Sequence, residues 1–388
     1  MDPTIQLLQD LVAVDSVNPS LVAGGAGETR IAAVIAAELQ AAGLDVEIME
    51  AAPGRPNVVG ILEGRRPGRS LLLCGHMDTV GITGMTAPFD PVVAEGRLYG
   101  RGAEDMKGGV AAMLGAARAV AQSGGLPAGR LIIAAVADEE YASLGAEALV
   151  ARWSADAAVV TEPTGLMIAT GHKGFTWVEI VTEGVAAHGS RPREGRDAIF
   201  RMARVLARLE VLDRELQSRE AHPVMGTASL HASLISGGRE LSTYPESCVL
   251  RMERRSITGE HGDTALGEVE AILAALRSED EEFRASARLL FDRLPYEIPA
   301  QHFLIPALED ALAGTGRIPN RGGASFWTDA AVLGHGGIPS VIFGPGGGGL
   351  HGPEEYVNMD EVLVCRDVLT ELARIVCVGE KIRPKGPS

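Results

Sequence analysis

Four apolar segments of this chain each lead into a residue whose side chain can bind a metal ion. These residues are His76, Glu140, Glu162 and His351, and they follow the apolar runs 70–74, 131–137, 157–160 and 340–343. Short apolar runs of this kind are typical of the buried strands of an α/β sheet, and such a sheet collects its ligands outside the carboxyl ends of its strands. The pattern therefore predicts an α/β fold with one shared site at that edge of the sheet.

The length of the chain, 388 residues, exceeds what one hydrophobic core usually supports, so two domains are expected. Hydrophobic residues make up 46% of the chain, which predicts a globular protein. The net charge of -16 argues against nucleic acid and against anionic membrane surfaces as partners.

The four cysteines, Cys74, Cys248, Cys365 and Cys377, lack the close spacing of a metal-binding finger and lie in apolar segments. We expect buried free thiols rather than disulfides, which is typical of proteins in a reducing compartment. The first residues are acidic rather than basic, and no apolar run is long enough to span a bilayer. Together these features predict a cytoplasmic protein.

The pattern of helices and strands changes after residue 171. Before this point helical and strand patterns alternate, with helices predicted at 29–42 and 106–121. The following segment predicts strands at 175–182, 228–235, 248–253 and 283–291 and helices at 196–215 and 265–277. This order, β-α-β-β-α-β, is that of a ferredoxin-like unit, which can fold as an inserted domain. We therefore predict a main domain comprising residues 1–173 and 293–388, with an inserted domain at 174–292.

A pair of divalent metal ions fits the predicted ligands. Carboxylate and imidazole groups suit Zn²⁺, and a bridging carboxylate can hold two ions about 3.5 to 4 Å apart. Asp105, which immediately precedes the helix predicted at 106–121, is the candidate for this bridge. Its alternative role is an N-cap of that helix, and a capping carboxylate can also face a cation. The chemistry favours a hydrolase with two zinc ions, with Co²⁺ as the alternative metal.

Two pairs of residues add to this set through their spacing. His76 and Asp78 lie two apart on an extended segment and point the same way, so the Asp78 side chain is the expected partner of the imidazole. Glu139 and Glu140 are adjacent at a strand end and point to opposite sides, so one can bind metal while the other takes a proton from water. Each residue alone is better explained as a charged strand end, a turn residue or a solvated loop residue, and only their convergence favours a site.

Several longer stretches of the sequence match a known family. The stretches are GHMDTV at 75–80, YGRGAEDMKGG at 99–109, DEE at 138–140, TEPT at 161–164, AHGSRP at 187–192 and GPGGGGLH at 344–351. Through them the chain resembles the M20 family of metallopeptidases and deacylases, which includes acetylornithine deacetylase, succinyl-diaminopimelate desuccinylase, aminoacylase-1 and glutamate carboxypeptidase. The stretches occur in the family's order and cover nearly the whole chain.

The resemblance implies a role for each candidate residue. It implies that Asp105 bridges two zinc ions, with one coordination sphere completed by Glu140 and His351 and the other by His76 and Glu162. It implies that Glu139 is the general base, that Asp78 orients His76, and that His188 of the inserted domain stabilises the oxyanion. It also implies a zinc-peptidase-like, mixed-sheet catalytic domain and an inserted lid domain that forms the interface of a homodimer.

The positions that would contact the substrate agree with those of the relatives in part and depart from them at two places. Arg255 lies where desuccinylase-like members have an arginine for the substrate carboxylate, although Arg251 and Arg254 compete for this role. Ser242 stands where many relatives have an asparagine that assists substrate and oxyanion binding, and Phe326 and Trp327 stand where relatives often have small residues. We take Arg255, Ser242 and Trp327 as the candidate substrate-binding residues.

The expected activity is a metal-dependent hydrolysis of linear amides that removes the acyl group from an N-acyl amino acid. The alternative is a carboxypeptidase or dipeptidase that uses the same centre on a short peptide. A further alternative, a metal-binding protein without activity, is disfavoured because every expected catalytic residue is present.

Overall fold

The computed structural model describes residues 2–379 and divides the chain into two compact units. The first unit takes the described parts of Met1–Gly171, Glu297–Gly323 and Thr328–Ser388, and the second takes His172–Tyr296 and Ala324–Trp327. The divisions fall within a few residues of the predicted limits at 173 and 293. No pattern in the sequence indicates that residues 324–327 belong with the inserted segment. Met1 and residues 380–388 of the predicted main domain lie outside the described residues.

The helices and strands are numbered in chain order. Within residues 2–379 the α-helices are α1 (Pro3–Val12), α2 (Thr29–Ala41), α3 (Gly108–Gln122), α4 (Leu144–Val150), α5 (Ala198–Ser218), α6 (Thr264–Glu279), α7 (Leu304–Gly314), α8 (Ala330–His335) and α9 (Met359–Val378). The strands are β1 (Asp45–Ala52), β2 (Arg55–Glu63), β3 (Ser70–His76), β4 (Val92–Ala94), β5 (Arg97–Tyr99), β6 (Arg130–Val136), β7 (Ala157–Val160), β8 (Ile168–His172), β9 (Gly174–Glu183), β10 (Ser229–Gly237), β11 (Ser247–Ser256), β12 (Ala285–Arg293), β13 (Tyr296–Glu297), β14 (Arg321–Ala324), β15 (Ser340–Ile342), β16 (Gly347–Gly348) and β17 (Tyr356–Asn358).

The main sheet is mixed, with the order β1-β2-β6-β3-β7-β15-β8-β13 and with β14 beside β8. Its central strands β6, β3, β7 and β15 are parallel, whereas β1 and β2 pair antiparallel at one edge. The parallel strands are buried along nearly their whole length, which explains why they appear in the sequence as continuous apolar runs. Their carboxyl ends meet at one edge of the sheet, so the predicted α/β architecture is confirmed.

The helix predicted at 106–121 begins later, at Gly108. Residues Ala103–Lys107 form a single π-helical turn in which the backbone angles of Asp105 are not helical. Helix α3 then passes close to the chain that leaves β7. The approach is so close that a Cβ on Gly109 would lie 1.9 Å from the main-chain oxygen of Thr161. Glycine at this position therefore lets the turn and α3 lie against the segment that carries Glu162.

The second unit contains an antiparallel four-stranded sheet with the order β10-β11-β9-β12. Helices α5 and α6 connect β9 to β10 and β11 to β12, and both pack on this sheet. Their shared core includes Met202, Val269, Leu250 and Phe283. The order of elements is the predicted β-α-β-β-α-β arrangement.

Two further predictions concern the chain as a whole. All four cysteines are free and buried, as expected for thiols that serve as core residues. Among residues 2–379 no helix has both the length and the apolar character that a membrane crossing requires.

Candidate metal centre

The residues predicted from strand ends lie together at the carboxyl edge of the main sheet. The cluster is formed by the end of β3, the loops after β6 and β7, the turn before α3 and the loop between β16 and β17, which supply His76, Glu139, Glu140, Glu162, Asp105 and His351. The ligand atoms of two groups lie within 4.8 Å of one another, namely His76–Asp105–Glu140 and His76–Glu139–Glu162. Residues far apart in the sequence therefore share one site.

Asp105 occupies the centre of this cluster. Its Oδ1 lies 2.9 Å from Nε2 of His76, and its Oδ2 lies 3.2 Å from Nε2 of His351. The alternative interpretation of Asp105 as an N-cap is wrong, because α3 begins at Gly108 and is preceded by Lys107, without a side-chain cap. A carboxylate whose two oxygens face two different histidines has the arrangement that a bridging ligand requires.

The remaining acidic side chains surround the two histidines. Oε2 of Glu140 lies 3.4 Å from Nε2 of His351. On the other side, Nε2 of His76 lies 3.8 Å from Oε1 of Glu162 and 4.0 Å from Oε2 of Glu139. Glu139 is thus close enough to His76 and Glu162 to contribute to either proton transfer or metal binding.

The support of His76 differs from the prediction. Nδ1 of His76 lies 2.9 Å from the main-chain oxygen of Asp78, whereas the Asp78 carboxylate is 3.7 Å away. That carboxylate instead accepts hydrogen bonds from the main-chain N–H groups of Glu139 and Glu140, at 3.1 and 3.2 Å, and from the side chain of Asn18 at 2.7 Å. Asp78 therefore orients the imidazole through its backbone and holds the glutamate turn through its side chain.

A buried ion-pair network lies behind this turn, and sequence reasoning missed it. The guanidinium of Arg55 donates to both oxygens of Glu28 and, at 2.8 Å, to Oδ1 of Asp138. Asn18 joins Asp138 to Asp78 by donating to both carboxylates. The only signal was a charged residue at the start of the apolar strand β2. Its significance depends on the pairing of β2 with β6, which ends at Val58 opposite Ala135, three residues from Arg55 and three from Asp138.

Burial and mutual repulsion make the charged forms of the carboxylates costly. Burial, followed by the charge of Asp105, raises the pKa of Glu140 to about 8. The pKa values of Glu139 and Glu162 are also raised well above their usual range, first by burial and then by neighbouring charges. Three acidic groups in this position would stay charged only with a compensating cation.

Asp105 and the two histidines stabilise one another's charged forms. Burial opposes ionisation of Asp105, but hydrogen bonds from His351 and His76 outweigh it and lower the pKa of Asp105. The pKa of His76 is raised because its contact with Asp105 and the charge of Glu162 outweigh the effect of burial. Each of these shifts favours the charged form of the group concerned.

The donor set fits divalent cations. Oε1 of Glu140 and Oε1 of Glu162 are buried and have no hydrogen-bond partner among the described residues. Unpartnered carboxylate oxygens beside imidazole nitrogens are the donors expected of a zinc or cobalt site. A bound cation would both satisfy these oxygens and remove the need for protonated histidines.

His188 and Ser242 are neighbours in the second unit. The main-chain N–H of Gly189 donates to the main-chain oxygen of Ser242 at 2.7 Å, and both His188 and Ser242 are exposed. Nδ1 of His188 lies 2.8 Å from Oγ of Ser190. The Nδ1 atom of His188 is therefore engaged by a residue of its own loop.

The arginines that compete for a substrate carboxylate differ in their surroundings. Arg254 is buried and pairs with Glu260 and Glu268, so it is a structural residue. Arg251 pairs with Glu179. Arg255 is part-exposed, and its Nε lies 2.6 Å from Oε1 of Glu253.

Trp327 belongs to an aromatic group on the second unit. Its ring makes edge contacts with the rings of Phe175 and His172, and the Arg293 guanidinium lies 5.4 Å from its centroid. Its Nε1 donates to the main-chain oxygen of Leu294 at 3.2 Å. Trp327 is therefore held by the second unit, although residues 328 onward belong to the first.

A family model and the sequences of related proteins both match most of this chain. The model of peptidase family M20/M25/M40 matches residues 72–375. The acetylornithine deacetylase of Myxococcus xanthus is 31% identical over 88% of this chain and 91% of that protein. The acetylornithine deacetylase of Proteus mirabilis (strain HI4320) is 28% identical over 98% of both chains.

Solved structures share the fold at lower identity. The aminopeptidase PepT of Bacillus cereus ATCC 10987 superposes with a TM-score of 0.80 at 19% identity, over 96% of this chain and 98% of that chain. The M20 family metallo-carboxypeptidase Sso-CP2 of Sulfolobus solfataricus superposes with a TM-score of 0.78 at 16% identity, over 97% and 100% of the two chains. The likeness to both extends over nearly the whole chain.

Replacing Arg55 with methionine should destabilise the protein by about 3–5 kcal/mol, because Glu28 and Asp138 would remain buried without their partner. Arg152→Met is the matched control, since its pair with Glu47 is exposed and should contribute no more than about 1 kcal/mol. Urea unfolding at pH 7.5 measures the free energy of unfolding of both variants relative to the unmodified protein. The loss of stability in Arg55→Met should shrink toward pH 5, because burial raises the pKa of Glu28 and protonation of this carboxyl removes one unpaired charge; equal losses for the two variants would contradict the assigned role.

Proposed function

Since the chain belongs to the M20/M25/M40 peptidase family and is therefore a hydrolase of amides, we propose that it removes the acyl group from an N-acyl amino acid at a centre of two zinc ions. The observation that carries the proposal is the position of Asp105, whose two oxygens face His76 and His351. The match to acetylornithine deacetylases over most of the chain supports a small acylated amino acid as the substrate class.

In this proposal the metal ligands form two sets that share Asp105. One set adds His351 and Glu140, and the other adds His76 and Glu162, in agreement with the short distances within each set. When bound, a pair of divalent ions polarises a scissile carbonyl and lowers the pKa of water. Zn²⁺ suits the mixture of imidazole and carboxylate donors, and Co²⁺ accepts the same ligands.

Glu139 is the proposed general base. Its main-chain N–H is held by Asp78, so its position is fixed independently of the substrate. Burial and the charge of Glu162 raise its pKa, which suits a carboxylate that accepts a proton from water and returns it to the leaving amine. In the same proposal His188 stabilises the oxyanion, and Arg255, Ser242 and Trp327 contact the substrate.

A carboxypeptidase or dipeptidase activity is the second candidate. The solved structures that share the fold include the metallo-carboxypeptidase Sso-CP2 and human carnosine dipeptidase 1. The same base and ligands would serve either reaction, because both hydrolyse an amide next to a carboxylate-bearing residue.

A substrate panel separates the two candidates. We expect the purified enzyme, supplied with Zn²⁺ or Co²⁺, to hydrolyse N-acetyl, N-formyl or N-succinyl amino acids and to release one free acid and one amino acid. Dipeptides would instead release two amino acids. Turnover of dipeptides alone would replace the deacylase proposal, and no turnover of any amide with two metals bound would overturn both.

Glu139→Gln should reduce turnover by about 10² or more while both metals stay bound, because the amide keeps the size of the side chain but accepts no proton. Glu140→Gln is the matched control at the adjacent position and should lose metal. Turnover and metal content measured on both variants test the assignment. Metal loss from Glu139→Gln, with two metals kept by Glu140→Gln, would exchange the two roles.

We also propose that the protein is a cytoplasmic homodimer formed through the second unit. Strand β10 lies at the edge of its sheet and exposes Leu234 and Ile235, and the first turn of α5 exposes Phe200. An exposed, apolar edge of this kind is readily covered by a second copy in a two-fold contact. The buried free cysteines support a reducing compartment.

If His188 acts on the metal centre of the partner subunit, then Glu139→Ala and His188→Ala should each give nearly inactive homodimers, but their mixed dimer should regain activity. One of its two sites would combine an intact Glu139 with an intact His188. The variants are coexpressed with different tags, purified as the mixed dimer and assayed against both parents. A verified mixed dimer as inactive as its parents, or a fully active monomeric wild type, would exclude this arrangement.

A further inference from the structure

Glu355 is a buried carboxylate to which neither the sequence motifs nor the proposed reaction gives a role. It lies four residues after His351, in the loop between β16 and β17, and is only 1% exposed. A buried carboxylate is costly unless several donors compensate it, so its partners indicate what it does.

The partners of Glu355 all come from the segment that carries Asp105. Its Oε2 accepts from Nη1 of Arg101 at 2.5 Å and from the main-chain N–H of Gly102 at 3.0 Å. Its Oε1 accepts from the main-chain N–H groups of Glu104 and Asp105, at 3.0 and 3.1 Å. One side chain thus receives four N–H donors from five consecutive residues.

These donors need a partner from outside their own segment. Asp105 has non-helical backbone angles within the turn Ala103–Lys107, so a regular helical acceptor does not serve its N–H group. Successive main-chain N–H groups that converge in this way form an anion-binding concavity, and Glu355 supplies the anion. The internal carboxylate therefore fixes the backbone of a proposed bridging ligand.

Glu355 and Arg101 also join the two segments that carry the proposed ligands Asp105 and His351. The main-chain oxygen of Glu355 accepts from the N–H of Gly100 at 3.1 Å, and Nη2 of Arg101 donates to the main-chain oxygen of Gly352 at 3.1 Å. Gly352 directly follows His351 in the chain. The position of His351 relative to Asp105 is therefore tied to Glu355 at several points.

We propose that Glu355 is a positioning residue that sets the distance between Asp105 and His351 and so preforms the metal centre. This inference rests on the proposed function, because it assumes that these two residues bind metal. Glu355 itself contacts neither the metals nor the substrate in this proposal. It acts through the main chain of Asp105.

The test replaces Glu355 with glutamine, which keeps the size of the side chain but directs an NH₂ group at N–H donors. The more weakly held Zn²⁺ should bind about 10- to 100-fold less tightly, as is typical when a residue that orients a ligand is lost. The visible spectrum of the Co²⁺-loaded protein should change, and kcat should fall while KM stays within about twofold. Glu354→Gln, which removes the same charge from the adjacent exposed position, should leave the Zn²⁺ affinity, the Co²⁺ spectrum and kcat unchanged.

Leu308→Ala separates positioning from general destabilisation. Leu308 is a fully buried residue of α7, so its truncation should lower the melting temperature without changing the affinity for Zn²⁺.

If Glu355→Gln does not fold, Arg101→Lys gives the same test, because lysine keeps the charge but loses the fork that joins Glu355 to Gly352. Unchanged affinity and spectrum in the folded variant would overturn the role of Glu355, whereas a wild type that binds no metal would overturn the proposed function itself.

Discussion

The crowding of buried carboxylates at the carboxyl edge of the main sheet is the constraint that explains much of the surrounding structure. Glu139, Glu140, Glu162 and Asp105 all lie within reach of His76 or His351. Like charges that are this close and this poorly solvated repel one another, and the raised pKa of three of them expresses that cost. The arrangement is favourable only when positive charge is bound among them.

Around this cluster, further buried carboxylates hold the two segments that carry the candidate ligands Glu140 and Asp105. Asp78 receives the N–H groups of the glutamate turn, Asp138 receives Arg55, and Glu355 receives the N–H groups around Asp105. Each of these carboxylates accepts from N–H donors, so its own charge is compensated locally. The main-chain N–H groups of the glutamate turn and of the turn before α3 are thus held by side chains of the protein itself.

The second unit is stabilised by an apolar core. Its two helices form this core by covering one face of an antiparallel sheet. The residues with proposed roles, His188, Ser242 and Arg255, lie at its exposed or part-exposed positions. Polar groups at the surface of a unit with an apolar core can meet a ligand without the cost of burying charge.

The sequence predicts the strands and the candidate ligands because both depend on local patterns. Continuous apolar runs predict buried parallel strands, and the residues that follow these runs are metal-competent, so His76, Glu140, Glu162 and His351 were predicted to lie together without a structure. How these residues are held depends on the tertiary structure. It showed that Asp105 faces two histidines rather than capping α3, and that Asp78 supports His76 through its main chain. It also revealed Arg55, Asn18 and Glu355, whose partners include residues 60 to 254 positions away. Such contacts follow from strand pairing and loop packing, which no local pattern in the sequence records.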